Sequence, residues 1–213
     1  MKDLVRYLHG KGGSAAESEH YKALFPHSEV IWLAYQSFTP WETGAEIRES
    51  VKNLKNEYHS ITMIANSIGA FFAMCAGIDG LIDAAYFISP IVNMERLITG
   101  MMGWAHVTEK QLQAKGMIET DFGETLSWEY LRYVRRHPVE WEAPTQILYG
   151  SRDHLTSRKT IEAFAKGHSA GLTVMEGGEH WFHTEEQMRF LDACIRGAER
   201  KRSETPRLER KPQ

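Results

Sequence analysis

The chain has 213 residues, of which 42% are hydrophobic and 25% charged, a balance that supports one domain with a large core and no need of disulfides or a structural metal. A net charge of −3 offers no electrostatic footprint for nucleic acid, and there is no run of about 18 apolar residues to span a membrane. The opening MKDLVRYLHG lacks the apolar core and cleavage site of a secretory signal, and Cys75 and Cys194 stand far apart with no metal-binding spacing. The expectation is therefore a cytoplasmic protein with free thiols.

The first predicted strand, residues 4–8, runs into His9-Gly10-Lys11-Gly12-Gly13-Ser14. Glycines let a backbone turn sharply and approach a ligand closely. Neither a P-loop nor a G-x-G-x-x-G pattern is present, so a phosphate loop is a poor reading. A helix over 16–24, a strand over 30–34 and a helix over 44–57 follow.

The next stretch, ITMIANSIGAFFAM, joins a strand over 61–65 to a helix over 67–77. Ser67 falls at the junction, with Ala65 two residues before and Gly69 two after. A sharp strand-to-helix turn that presents a nucleophile needs small residues at those two places. Taken alone, Ser67 reads equally well as a helix N-cap.

A strand over 84–88 is followed by more than fifty residues before the next, over 145–149. That interval reads as helical, with Ile91, Met94, Leu97, Ile98, Met101 and Met102 in one periodic run and Trp128, Tyr130, Leu131 and Val134 in a second. It holds four of the nine methionines together with Trp104 and Trp128. Adaptable Met-rich surfaces suit a cap over a binding cleft, and insertions this long are usually functional.

The strand over 145–149 leads to Asp153, and after a helix over 157–166 the strand over 172–175 leads to His180 in GGEHW. A helix over 184–196 completes the series. Continuous apolar strands alternating with helices predict an α/β fold, a mostly parallel six-stranded sheet with helices on both faces. The tail from Glu199 onward carries six basic and three acidic residues and almost nothing apolar, and is expected to be disordered. One domain over 1–198, with an insertion over 91–140, is the predicted organisation.

Ser67, Asp153 and His180 each follow a different strand, at the sheet edge where open α/β sheets bind ligands. Their order, with the nucleophile turn ANSIG and the loop HGKGGS, resembles the α/β-hydrolase superfamily over nearly the whole chain. The likeness is to small bacterial serine hydrolases with a helical cap inserted before the fifth strand. Members usually begin with two further strands, and this chain starts at the third, leaving a sheet edge at which a homodimer is as conceivable as a monomer.

The resemblance implies a Ser67 nucleophile, a His180 base and an orienting Asp153. The backbone N–H groups of Lys11 and Ile68 would form the oxyanion hole. Asp79 and Asp83 precede a strand and so lie at the wrong edge to replace Asp153. His9 is expected to brace its loop. Gly10, Gly12, Met94, Trp104 and Trp181 are the expected substrate contacts. The reaction implied is hydrolysis of an ester, thioester or similar acyl bond of a small molecule, with neither cofactor nor metal; His183 lacks an H-E-x-x-H partner set. Alternatives on the same fold are acyl transfer to an alcohol or peroxide, small-peptide hydrolysis, and a non-catalytic receptor.

Overall fold

The computed structural model describes residues 2–14 and 16–204. Its main sheet contains β1 (Lys2–Leu8), β2 (Ser28–Trp32), β3 (Tyr58–Asn66), β4 (Ala84–Ile88), β7 (Thr145–Gly150) and β8 (Gly171–Met175), in the order β2-β1-β3-β4-β7-β8. Every pairing in it is parallel. The helices are α1 (Ala16–Lys22), α2 (Pro40–Leu54), α3 (Ile68–Cys75), α4 (Met94–Trp104), α5 (Glu109–Lys115), α6 (Trp128–Arg136), α7 (Arg158–Gly167) and α8 (Glu185–Glu204).

The central strands are buried on both sides, and their side chains divide between two cores. Leu4, Leu8, Ile61, Met63, Ala65, Ala85 and Phe87 face one core, which also takes in α2, α3 and α7. Val5, Tyr7, Ile64, Tyr86 and Ile88 face the other, built with Tyr21 of α1 and with Leu191 and Ile195 of α8. This is the period of two that a strand imposes, and it explains why the strands read as unbroken apolar runs. Each fully buried large aliphatic or aromatic side chain contributes about 1.5–3 kcal/mol.

Three expectations needed correction. The interval between β4 and β7 is not wholly helical: between α5 and α6 it forms an antiparallel hairpin of β5 (Met117–Glu119) and β6 (Thr125–Ser127). Its tip closes through a bond from Gly123 N–H to Thr120 O at 3.1 Å, with Gly123 at φ 81°. Residues 199–204, expected to be disordered, continue α8, where Glu199 accepts a bond from Tyr86 Oη at 2.5 Å and pairs with Arg202 at 2.9 Å. The remainder of that tail, 205–213, lies outside the described residues. The second strand begins at Ser28 rather than residue 30, because it is an edge strand paired only with β1 and half-exposed along its length.

Helix starts in the second half of the chain follow local chemistry. Asn93 caps α4 by accepting from Arg96 N–H at 2.9 Å, and Ser157 accepts from Thr160 N–H in the same way at α7. Thr108 and Gln111 form a reciprocal capping box at α5. Ser67, at the start of α3, makes no such bond. A helix whose serine does not cap it has left that hydroxyl free for something else.

Candidate active site

Ser67 sits between β3 and α3 with φ 50° and ψ −117°, a conformation that a non-glycine residue adopts at a cost of order 1–3 kcal/mol. Three backbone bonds hold it there. Ser67 N–H donates to Ile88 O at 2.9 Å, while Ser67 O accepts from Ala70 N–H at 3.2 Å and Ile91 N–H at 3.1 Å. The small neighbours are needed: a Cβ on Gly69 would stand 2.5 Å from His9 O, and one on Gly10 would stand 3.3 Å from Ser67 Cβ. The turn after β3 and the loop after β1 therefore lie directly against one another.

Asp153 and His180 reach Ser67 through a second close approach. A Cβ on Gly150 would lie 2.5 Å from Gly178 O and Glu179 O, so β7 can end against the loop after β8 only because Gly150 has no side chain. Arg152 N–H donates to Gly178 O at 2.8 Å, and Gly177 N–H donates to Ser151 Oγ at 2.8 Å. The result is a continuous chain: Ser67 Oγ is 2.8 Å from His180 Nε2, and His180 Nδ1 is 2.7 Å from Asp153 Oδ2.

The Asp153 side chain is fully buried. Its Oδ1 accepts from Leu155 N–H at 2.8 Å and Thr156 N–H at 3.0 Å, leaving Oδ2 for the imidazole. Burial of a carboxyl group is tolerated because each oxygen is hydrogen-bonded. The rival carboxylates lie elsewhere. Asp83 accepts from Ile61 N–H at the opposite edge of the sheet and pairs with Lys55.

Lys11, on the loop after β1, and Ile68, next to the serine in the chain, line a cavity together with Ser67. Ile68 opens α3, and its N–H is one of the helix-start groups that no carbonyl of the same helix can reach. Lys11 occupies a tight turn in which Gly13 N–H donates to Gly10 O at 3.1 Å and Gly12 takes φ 76°. His9 anchors this loop: its ring stacks on Tyr35 at 4.3 Å, and Tyr35 Oη donates to His9 O.

Two cavities meet at Ser67. One, of about 510 Å³, lies beneath the inserted segment and is lined by Ile68, Met94, Leu97, Met101, Trp104 and Tyr130, with Phe38 and Phe122 also on its wall. The other, of about 440 Å³, lies on the α1 and α8 side and is lined by Gly10, Gly12, Glu17, Tyr21, His180 and Trp181 among others. Ser67, Lys11 and Leu155 border both. Met94 and Trp104 thus belong to one chamber, and Gly10, Gly12 and Trp181 to the other.

Sequence reasoning missed Phe38, Phe122 and Glu124 on the first wall and Glu17 and His20 on the second. Gly123, a turn residue between short polar-flanked runs, was the available signal for the hairpin that carries Phe122 and Glu124. Glu124 accepts from Lys11 Nζ at 2.6 Å, tying the hairpin tip to the loop after β1. Among the described residues, no group of three or more His, Cys, Asp and Glu is arranged to hold a metal ion. His183 instead stacks on Trp181 at 4.5 Å. No helix of the described chain is long and apolar enough to cross a membrane.

No family model and no curated protein matches the sequence. Solved structures do match the fold. Est1E from Butyrivibrio proteoclasticus superposes with a TM-score of 0.76 at 17% identity, covering 96% of this chain and 89% of that one. The same protein has been solved with ferulic acid bound. Alpha/beta hydrolase domain-containing protein 10 from mouse matches with a TM-score of 0.68 at 14% identity over 93% of this chain and 90% of that one. The Pyrococcus furiosus esterase Pf2001 matches with a TM-score of 0.61 at 17% identity over 95% and 81%. Six parallel strands in this order, with helices between them, and these superpositions make this a chain of the α/β-hydrolase fold.

Proposed function

We propose that the protein is a serine hydrolase that cleaves an ester or related acyl bond through an acyl-enzyme on Ser67. The observation that carries this reading is the unbroken Ser67–His180–Asp153 contact, at 2.8 and 2.7 Å, with the serine held in a strained turn and not used as a cap. With its proton on Nδ1 donated to Asp153, the His180 imidazole keeps an Nε2 lone pair to accept the serine proton as Oγ attacks. The Lys11 and Ile68 N–H groups stabilise the oxyanion, Nε2 then protonates the leaving group, and water repeats the cycle to release the acid.

The apolar, aromatic-walled chamber beneath the insertion favours a bulky acyl group. Est1E, with ferulic acid bound, shows that an aromatic acid is accommodated by a protein of this fold.

A fluorophosphonate probe tests the reading directly. Wild type is expected to be labelled and Ser67→Ala not, with turnover of p-nitrophenyl esters falling by at least about 10⁴-fold in the variant. Folded wild-type protein that resists the probe and hydrolyses no ester would sink the assignment.

A further inference from the structure

The two cavities are not equivalent, and the position of His180 tells them apart. His180 borders the α1–α8 chamber and not the chamber under the insertion, whereas Ile68 borders only the latter. The group that departs must receive its proton from His180 Nε2, so it lies on the His180 side. The acyl group, whose carbonyl oxygen turns toward Ile68, lies beneath the insertion.

The charges around the departing-group chamber are unevenly matched. Lys11 pairs with Glu124 at 2.6 Å, and His20 is hydrogen-bonded to Asp192 at 2.6 Å. Glu17 remains. Its carboxylate accepts from Tyr7 Oη and from Ser14 N–H at 3.3 Å, and among the described residues it forms no ion pair. Both bonds come from neutral donors, so they leave its negative charge uncompensated. Burial first and then the Glu17 charge raise the Tyr21 hydroxyl well above its ordinary range. Three aromatic residues, Tyr21, Trp181 and Phe182, share the same wall. A carboxylate in a chamber lined by aromatic residues attracts a cation by its charge, and a ring face turned to the cation adds to that attraction.

We propose that the chamber bordered by Glu17, Tyr21, Trp181 and Phe182 is a leaving-group subsite for a cationic alcohol, such as a quaternary ammonium alcohol. This rests on the serine hydrolase reading above for its chemistry, but not for its binding.

The test uses two butyrate esters of equal shape, one of choline and one of 3,3-dimethylbutanol, which differ in a positive nitrogen against a neutral carbon. Wild type should favour the choline ester in kcat/KM by about tenfold. In Glu17→Gln, which removes the charge and keeps one acceptor oxygen, enough for the bond from Tyr7 Oη but not also for that from Ser14 N–H, that ratio should fall toward one. Parallel loss on both esters would mean that Glu17 only braces the loop after β1, and would overturn the proposal. Trp181 is exposed, so Trp181→Leu provides a variant with little folding risk; its ratio should fall about threefold.

Choline titrated into Ser67→Ala reports binding without turnover. Saturable heat that disappears in the Ser67→Ala, Glu17→Gln double variant supports the subsite even if the wild type fails to react with fluorophosphonate. A labelled, active enzyme with no choline preference and no choline binding overturns the subsite and leaves the hydrolase assignment standing.

Discussion

Ser67 illustrates how little one residue reveals and how much its backbone adds. A serine before a helix is most often a cap, and no property of ANSIG separates a cap from a nucleophile. The positive φ, the missing cap bond and the 2.8 Å contact to His180 count against a cap and support the nucleophile proposed above. Glycines carry the same lesson, since the need for them lies in what approaches. Gly69 makes room for His9 O, and Gly150 makes room for the His180 loop. Gly150→Ala would place a methyl group within 2.5 Å of three backbone atoms, none of which can swing aside as a side-chain end would. The loop must retreat from β7 and take His180 away from Ser67. We expect ester turnover to fall about 100-fold, the effect of roughly an ångström of misplacement, and the melting temperature to drop by several degrees. Steady-state kinetics alongside a thermal melt check both, and an unchanged kcat would refute this account of the glycine.

Among the elements, the strands were the most legible and the insertion the least. Strands over 84–88 and 145–149 announce themselves because burial on both faces demands continuous apolar runs. The helix bearing Met94, Leu97, Ile98 and Met101 was legible from its period. The hairpin was not: strands of three residues are shorter than the span over which a period of two can be recognised, and their stability comes from pairing with each other. That hairpin delivers Phe122 to the first chamber, where it meets Trp104 edge to face at 6.2 Å. Phe122 is 45% exposed, so Phe122→Ala should cost little stability. It should lower the kcat/KM ratio of p-nitrophenyl octanoate to acetate by about five- to tenfold, from the loss of apolar contact with the longer chain. Wild-type activity confined to acetate would show that the chamber does not receive the acyl group.

Across the whole molecule, the parallel sheet gathers loops distant in sequence at one edge. It also sets the behaviour of groups far from that edge. Cys75, at the C-terminal end of α3, borders a separate cavity of about 300 Å³, and burial pushes its thiol up to about 12. At pH 8 only roughly one molecule in 10⁴ would carry the reactive thiolate there. The Cys194 thiol is raised by burial as well. Cys75 in the native protein should therefore react very slowly with an aromatic disulfide reagent at pH 8, and both free thiols should react once the protein is unfolded in guanidinium. Rapid reaction of Cys75 in the native state would contradict that burial. The amino-acid order by itself specified the alternation of strands and helices, the edge of the sheet at which Ser67, Asp153 and His180 fall, and the small residues that the serine turn requires. These follow from periodicity and from backbone sterics, which act over a few residues. The pairing of two chambers around the serine, the hairpin that walls one, and the unmatched charge of Glu17 in the other follow from contacts between segments up to 172 residues apart, as with His20 and Asp192. Such contacts leave no local pattern, because what selects each partner is the shape and charge of a surface that exists only once the chain is folded.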